Sequence, residues 1–432
     1  MKSLQEFFNF FHGNVRVLVI CRALWTLSFQ IPSPFLTLYI LALGGSPIEV
    51  GLVNSLAFLG VALYPIGGLI ADRVGRVKLV GYATYFMALT YIFYIVAQDW
   101  RAIALGHLLH QMALFYLPAL NAIFADSLPP AFRGRGFALE RAVPGALGTV
   151  APYLGGLLIT HFGGGSQGLI MAMRICYLSA LLVGLLVATL RLFFLKETLK
   201  VDASAFSLGE LLGLVKEAYI GLPETIKRMP RAFHPIIYLE VILSFSVSMA
   251  APFWILYATE VVGLTTLEWS TLLMYSGVFS LIFTIPAGYL VDRLGPKLLI
   301  LLSTTLAVFS TLIFLFSPSF WGVFVALNLL AISNAAVMPS YSTLIANLIE
   351  RGRRGRTYAL IGERGVMVVT SSGGGMVASG LLLIIPASIG GLLGGYLYLI
   401  NRGLPFILLA ISLSLVLIIT YRLVREPERP EV

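Results

Sequence analysis

Charged residues are scarce in this chain of 432 residues. Only 11% of its residues are Asp, Glu, Lys or Arg, whereas 58% are hydrophobic, and the mean hydropathy is +0.92. Soluble domains carry about 25% charged residues, so the composition excludes an ordinary water-soluble protein. Helices that cross a bilayer explain such a composition, because a helix satisfies its own backbone hydrogen bonds in lipid.

Cysteine is equally rare. Cys21 and Cys176 both fall inside apolar runs, which argues against a disulfide framework and against a zinc site of the usual spacing. The sequence also lacks a phosphate-cradling glycine loop, a nucleophile elbow and an ATP-binding signature. We therefore expect no enzyme activity, no metal and no cofactor.

Apolar runs of about 20 residues, each long enough to cross a bilayer, recur along the sequence. They predict an all-α integral membrane protein with twelve transmembrane helices near 15–43, 48–71, 78–97, 102–124, 137–161, 169–195, 234–262, 269–291, 297–316, 321–345, 357–385 and 404–424. The glycine-rich stretch from Ile384 to Tyr398 falls mostly outside these spans.

The distribution of charge indicates the orientation. The net charge is +9, and most of the 29 Lys and Arg lie in loops on one side of the predicted spans. This asymmetry follows the positive-inside rule and places both termini in the cytoplasm. We expect a multi-pass protein of the plasma membrane that contacts the lipid bilayer and has no nucleic-acid partner. The first apolar run is too long for a cleavable signal peptide.

One charged loop occurs twice, at half-length. The first copy reads GGLIADRVGRVK (67–78), the second reads AGYLVDRLGPK (287–297), and each joins two predicted spans. Two related halves explain such a repeat. We predict a six-helix bundle at 1–195, a cytoplasmic linker with an amphipathic helix at 196–231, and a second bundle at 232–432.

On these loops, the twelve spans and the linker, the chain resembles the major facilitator superfamily of secondary transporters along essentially its whole length. The first loop matches that family's signature at nearly every position. The second matches more loosely, with Pro296 in place of a basic residue. The resemblance implies two pseudo-symmetric bundles that move a small solute by alternating access, usually as a monomer.

The resemblance also implies that the repeated loops form a cytoplasmic gate, in which Asp72 caps a helix of the opposite half and arginines pair with acids of their own half. The predicted gate residues are Gly68, Asp72, Arg73, Gly75, Arg76, Asp126, Arg133, Glu140, Arg141, Asp292, Arg293, Gly295, Arg354, Glu363 and Arg364.

Specific pairings follow within this gate. We expect Asp126 to pair with Arg73 or Arg76. We expect the Glu140–Arg141 dipeptide to meet the Asp292 loop, and the corresponding Glu363–Arg364 dipeptide to meet the Asp72 loop. Snorkelling of both dipeptides to the cytoplasmic interface is the alternative.

Helices one, four, seven and ten line the central cavity in this family. Their polar residues are the candidates for substrate binding or proton coupling: Arg22, His107, His110, Gln111, Asn121, Glu240, Asn328, Asn334 and Tyr341. Arg22 and Glu240 occupy equivalent positions in the two halves, and charges inside a span are functional candidates. They pair with each other, or Arg22 binds an anion while Glu240 carries a proton, or they serve only as a structural gate pair. The two histidines carry a proton or are ordinary buried side chains.

Helix five carries Gly148, Pro152, Gly155 and Gly156, which resemble the glycine–proline motif of drug and proton antiporters. Ala151 stands where that motif has glycine, and close helix packing explains the glycines equally well. We expect a secondary transporter that works with protons as the coupling ion. Efflux of amphiphilic compounds is slightly favoured over uptake of a small organic anion or polar solute, and a non-transporting sensor or scaffold is a distant alternative.

Overall fold

The computed structural model describes residues 11–163, 165–199, 213, 229–349, 357–358, 360–362, 365–370 and 380–426. The side chains of Pro65, Leu69, Asp72 and Ala131 also lie outside this described part. Every regular element within it is a helix, which confirms the predicted fold class. Most of the predicted linker at 196–231 lies outside the described residues.

Twelve helical spans follow one another along the described chain. They are α1 (Gly13–Gln30 and Leu36–Ala42), α2 (Pro47–Gly60 and Tyr64–Val74), α3 (Arg76–Leu89 and Tyr91–Ile95), α4 (Trp100–Ala113 and Leu117–Asp126), α5 (Arg133–His161), α6 (Ser166–Phe194), α7 (His234–Ala250 and Trp254–Glu260), α8 (Thr266–Leu294), α9 (Pro296–Phe316), α10 (Phe320–Leu348), α11 (Ile384–Ile400) and α12 (Leu404–Leu423). All except α3, which is interrupted at Thr90, are long and apolar enough to cross a bilayer on their own.

The helix array has two faces, which differ in the loops that they carry. The loop face carries the repeated charged loops, with Gly75 between α2 and α3 and Gly295 between α8 and α9. Both glycines have positive φ, 97° and 84°, a backbone conformation that glycine adopts readily and other residues rarely do. The far face is the opposite side and carries Gly44 and Gly263.

The internal repeat is visible in the backbone. A 3-10 turn at Ser33–Phe35 interrupts α1, and the equivalent turn at Ala251–Phe253 interrupts α7, 218 residues later. The same spacing separates Arg22 from Glu240, so the structure supports their predicted equivalence. On the far face, α2 and α8 each begin with a capping box, in which a hydroxyl and a glutamate satisfy the free amides of the first turn.

The prediction for the eleventh span was wrong in its boundaries. The described transmembrane helix runs from Leu381 to Ile400, whereas the sequence predicted 357–385, and residues 365–370 are not helical. Glycine has low helix propensity, which hid the helix in the stretch 384–398. Packing overrides that preference, since these glycines let α11 approach its neighbours closely.

Candidate functional site: the cleft between the two bundles

Hydrogen bonds join the two halves near the far face. The Thr37 hydroxyl on α1 donates to the carbonyl of Pro252 on α7 at 2.8 Å. The Ser55 hydroxyl on α2 donates to the carbonyl of Ser388 on α11 at 2.7 Å, and the Ser388 hydroxyl donates back at 3.2 Å. These bonds hold the far-face end of the cleft closed.

Glycines make this closure tight. A Cβ on Gly395 would lie 2.3 Å from the carbonyl oxygen of Pro47, and one on Gly51 would lie 2.6 Å from that of Gly391. A Cβ on Gly156 would lie 2.0 Å from the Ser270 hydroxyl. Each of these contacts joins the first half to the second. The close approach of the two halves therefore requires glycine, which has no side chain, at these positions.

Adjacent glycines at this closed end contact different halves. Gly155 faces the carbonyl of Ile31 within its own half, while Gly156 faces α8. In the second half, Gly394 faces the carbonyl of Met249 in the same way, and Gly395 faces α2. The predicted helix-five motif therefore contributes to close helix packing, with Gly155 inside the first half and Gly156 across the interface. Its other members, Gly148 and Pro152, are also buried, and a Cβ on Gly148 would lie 2.5 Å from Gln30 Oε1.

Toward the loop face the halves separate. Between Leu281 and Leu294 on α8, only Ala287 and Val291 are buried. Ile285 is 82% exposed, and exposed side chains extend over most of the helix circumference. A lipid-facing stripe alone would be narrower, so part of this surface borders a cleft that opens to the loop face.

Within the cleft, Arg22 on α1 forms an ion pair with Glu140 on α5. Both residues belong to the first half. The structure therefore gives Arg22 a partner other than Glu240, and it gives Glu140 a partner other than the Asp292 loop that the sequence predicted. Adjacent helical residues point about 100° apart. Because α5 turns Glu140 toward α1, Arg141 is left facing the second half.

Breaking this pair is expected to cost stability. Glu140→Gln leaves Arg22 uncompensated and should lower the free energy of unfolding by about 1–3 kcal/mol, less than for a fully buried pair because Arg22 is partly exposed. The double variant Arg22→Gln, Glu140→Gln should recover most of the loss. Chemical denaturation of the wild type, the two single variants and the double variant measures the coupling free energy between Arg22 and Glu140.

The exposed pair of Arg402 and Glu260 on the far face, 3.2 Å apart, is the control for that measurement. Its coupling should stay below about 1 kcal/mol. A coupling between Arg22 and Glu140 no larger than this control would contradict a stabilising pair in the cleft.

Glu240 is the most isolated acid of the described chain. It is fully buried on α7, and neither carboxylate oxygen has a hydrogen-bond partner among the described residues. The Tyr341 hydroxyl on α10 and the main chain of Val366 are its polar neighbours. Neither contact meets hydrogen-bond geometry, and the Tyr341 hydroxyl is likewise unsatisfied. Uncompensated burial makes the charged form of this carboxylate costly.

The two halves differ in length before these packing glycines. Gly155 and Gly394 each face a carbonyl of their own half, and on this match they are equivalent. The register is 239 residues at these glycines but 223 residues at the predicted match of Glu140 with Glu363, so the second half contains 16 additional residues.

The histidines of α4 lie inside the first bundle rather than in the cleft. His107 Nδ1 lies 2.8 Å from the Tyr94 hydroxyl, and His110 Nδ1 lies 3.1 Å from the Thr90 hydroxyl. The His110 ring also stacks on Trp25 and Phe29. All of these partners belong to the first half, so the contacts support the interpretation of both histidines as buried structural side chains.

The remaining cavity candidates do not converge on one point. Gln111 is buried next to Gly60, whereas Asn121 on the same helix is exposed. Asn328 donates to the carbonyl of Phe324 in its own helix at 2.7 Å. Asn334 donates to the carbonyl of Val368 at 2.9 Å, so it secures the non-helical stretch 365–369 beside Tyr341 and Glu240.

On the loop face, Arg76 and Asp126 form the predicted ion pair at 2.6 Å. Arg76 also donates to the Thr198 hydroxyl at 3.3 Å. The second copy lacks this bridge, since Pro296 and Asn347 replace both partners.

Arg73 and Arg133 are exposed. Gly68 is not sterically required, because a Cβ there would meet only Pro118, at 3.8 Å.

Two acids that the sequence analysis did not select cap α3 and α9. Glu197 accepts from the amide of Val77 at 2.9 Å, and Glu426 accepts from the amide of Lys297 at 2.5 Å. A carboxylate at a helix N-terminus is stabilising. The available signal was the absence of any capping side chain at the start of α3 and α9, combined with a glutamate after both α6 and α12.

The charged gate residues of the second half that the structure describes are Asp292 and Arg293. Asp292 is exposed and makes no ion pair with any described residue, while Arg293 lies over the ring of Tyr289 at 4.7 Å. Arg354, Glu363, Arg364 and the side chain of Asp72 lie outside the described residues, so their predicted pairings stay predictions. An exposed Asp292 agrees with a cleft that is open on this face.

Arg191 was also missed. It is 2% exposed near the loop-face end of α6, and it donates to the hydroxyls of Thr84 and Tyr116 at 2.9 and 3.0 Å. It links α6 to α3 and α4 inside the first bundle. Its position close to a span end concealed this role, because basic residues at such ends usually mark only orientation.

Comparisons with known proteins agree with this architecture. The chain matches the family profile described as Major Facilitator Superfamily over residues 18–362 and 236–432. It is 28% identical over 332 residues to "Multidrug resistance protein MdtG" of Salmonella arizonae, covering 74% of this chain and 76% of the relative. The same protein of Salmonella typhimurium is 27% identical over 334 residues, with the same coverage.

Solved structures with this fold include the nucleoside transporter NupG, with a TM-score of 0.67, 14% identity and coverage of 95% of this chain and 99% of that chain. The human organic anion transporter MFSD10 has a TM-score of 0.62, 16% identity and coverage of 94% and 98%. A bacterial homologue of the human lysosomal transporter Spinster, in an inward-facing conformation, has a TM-score of 0.65 and 15% identity. The match covers 95% of this chain and 97% of that chain. The chain therefore belongs to the Major Facilitator Superfamily and is a multi-pass membrane transporter rather than an enzyme.

Proposed function

We propose that this chain exports amphiphilic compounds from the cytoplasm in exchange for protons. The proposal places the loop face in the cytoplasm, where the excess of Lys and Arg is expected, and places the protein in the plasma membrane. In that orientation the cleft described above is open to the cytoplasm. A single chain carries both bundles, so a monomer suffices.

The buried carboxyl of Glu240 carries the proposal. A charge in these surroundings is costly, and protonation removes the cost. Proton binding would thus favour a closed environment around α7 and α10, while proton release would require access to water. A conformational change that alternates this access couples proton movement to movement of the bundles.

Two further observations support export. The relatives are named as multidrug resistance proteins, and Gly156, one of the α5 glycines that resemble an antiporter motif, faces α8 of the other half. Uptake of an organic anion is less well supported, because Arg22 is paired with Glu140 and the histidines pack inside the first bundle.

Transport into inside-out membrane vesicles tests the proposal. With an acidic interior, vesicles that contain the chain should accumulate the fluorescent neutral amphiphile N-phenyl-1-naphthylamine. Collapse of the pH gradient with nigericin should release it. Accumulation that is absent, or that survives nigericin, would contradict proton-coupled export.

A further inference from the structure

Arg141 places a guanidinium between the two halves. Its Nη1 lies 3.9 Å from the Met338 sulfur on α10 of the opposite half, and the side chain is otherwise exposed. One and two turns further along α5, Gly145 and Thr149 face Leu281 and Gly277 of α8. Arg141 therefore lies on the interface side of α5, inside the cleft.

The thioether that contacts Arg141 is a weak hydrogen-bond acceptor and carries no charge. A guanidinium presents five donors in a planar fork that matches acidic oxyanions. No acid in the described part of the cleft forms an ion pair with Arg141, so its donors are available to water or a ligand.

The rest of the described cleft is positive in balance and partly apolar. Arg22 has a side chain that is 33% exposed, whereas its partner Glu140 is 10% exposed. Glu240, on the opposite wall, is fully buried. Leu281, which faces Gly145 one turn along α5 from Arg141, and Ile285 are exposed apolar side chains of α8.

We propose that Arg141 binds the acidic head group of an amphiphilic substrate, with the apolar part of that substrate lying along Leu281 and Met338. This inference rests on the proposed export of amphiphiles and names a class among them. It differs from the gate role predicted for Arg141, which would require the Asp292 loop as its partner.

Two naphthalene probes test the inference by equilibrium binding. 1-Anilinonaphthalene-8-sulfonate and N-phenyl-1-naphthylamine share one aromatic scaffold, and only the first carries an acidic group. Both are titrated into the purified chain in lipid nanodiscs, with empty nanodiscs subtracted. Arg141→Gln should weaken binding of the sulfonate by about tenfold or more and leave binding of the neutral probe unchanged.

Two variants control this titration. Arg141→Lys keeps the charge but not the fork, so it should retain part of the sulfonate affinity. Arg135→Gln removes an exposed arginine of the same helix, one that stacks on Phe132, and should change neither probe.

The inference is overturned if the wild type does not bind the sulfonate, if Arg141→Gln leaves sulfonate affinity intact, or if it weakens both probes equally, as loss of a gate residue would. Failure of the proposed export is seen separately, as absence of vesicle transport while these binding results stand. Displacement of the sulfonate by palmitoyl lysophosphatidate would assign the site to an acidic lipid, and lack of displacement would assign it to a soluble acid.

Discussion

Gly395→Ala should prevent the far face from closing. The new Cβ would lie 2.3 Å from the carbonyl oxygen of Pro47 in the opposite half, and backbone cannot move aside without parting α2 from α11. Overpacking of this kind costs about 1–3 kcal/mol. Since the strain exists only while the far face is closed, it should shift the equilibrium toward the far-open state by about tenfold or more.

Thiol labelling reports this shift. Thr37 is 1% exposed beneath the far-face seal, and the native Cys21 and Cys176 are buried, so a maleimide should react with Thr37→Cys only when the far face opens. Adding Gly395→Ala should accelerate labelling by about tenfold or more and slow N-phenyl-1-naphthylamine transport by a similar factor.

Two neighbouring glycines control the experiment. A Cβ on Gly391 would come no closer than 3.4 Å to the opposite half, so Gly391→Ala should leave labelling and transport unchanged. Gly394→Ala clashes with Met249 inside its own half and should lower thermal stability without faster labelling. Equal labelling of Thr37→Cys with and without Gly395→Ala would contradict the far-face seal.

Glu240→Gln should uncouple transport from protons. Glutamine has the shape of the protonated acid and cannot ionise, and no described hydrogen bond to the carboxylate is lost. Stability should therefore be kept or slightly raised. Accumulation of N-phenyl-1-naphthylamine driven by a pH gradient should fall to the level of vesicles without the chain, while exchange of labelled for unlabelled probe continues.

The matched control is Glu260→Gln, which neutralises an acid of the same helix that is exposed at the far face and bonded to Arg402. It should leave pH-driven accumulation intact, since an exposed pair contributes less than about 1 kcal/mol. Loss of exchange in Glu240→Gln together with loss of accumulation would indicate a structural role for Glu240 instead.

Sequence patterns sufficed for the features that are local or repeated. Hydrophobic runs located the spans other than the eleventh, because the length of an apolar helix is set by the bilayer. The internal repeat aligned Arg22 with Glu240, and the charged loop predicted a bridge from Asp126 to Arg73 or Arg76, of which Arg76 forms it. Each of these depends on residues whose spacing along the chain is directly readable.

The partners of Glu140 and Arg191 depend on how each helix is rotated about its axis, and the spacing of residues along the chain does not show that rotation. Glu140 was assigned to the opposite half, although α5 turns it toward Arg22 in its own half. The sequence match of Glu140 with Glu363 concealed the 16 additional residues before α11, because a short charged dipeptide aligns equally well in either register. The structural role of Arg191 depends on hydroxyls from α3 and α4, which no pattern within α6 reveals.

Proton movement driven by substrate is the most direct test of proton-coupled export. Pyranine trapped inside vesicles reports internal pH while a gradient of N-phenyl-1-naphthylamine is imposed without any initial pH gradient. Probe entry through the wild-type chain is expected to raise internal pH, because each entry is exchanged for proton exit. Glu240→Gln is expected to produce no change. Probe flux through the wild-type chain with constant internal pH would contradict proton-coupled export.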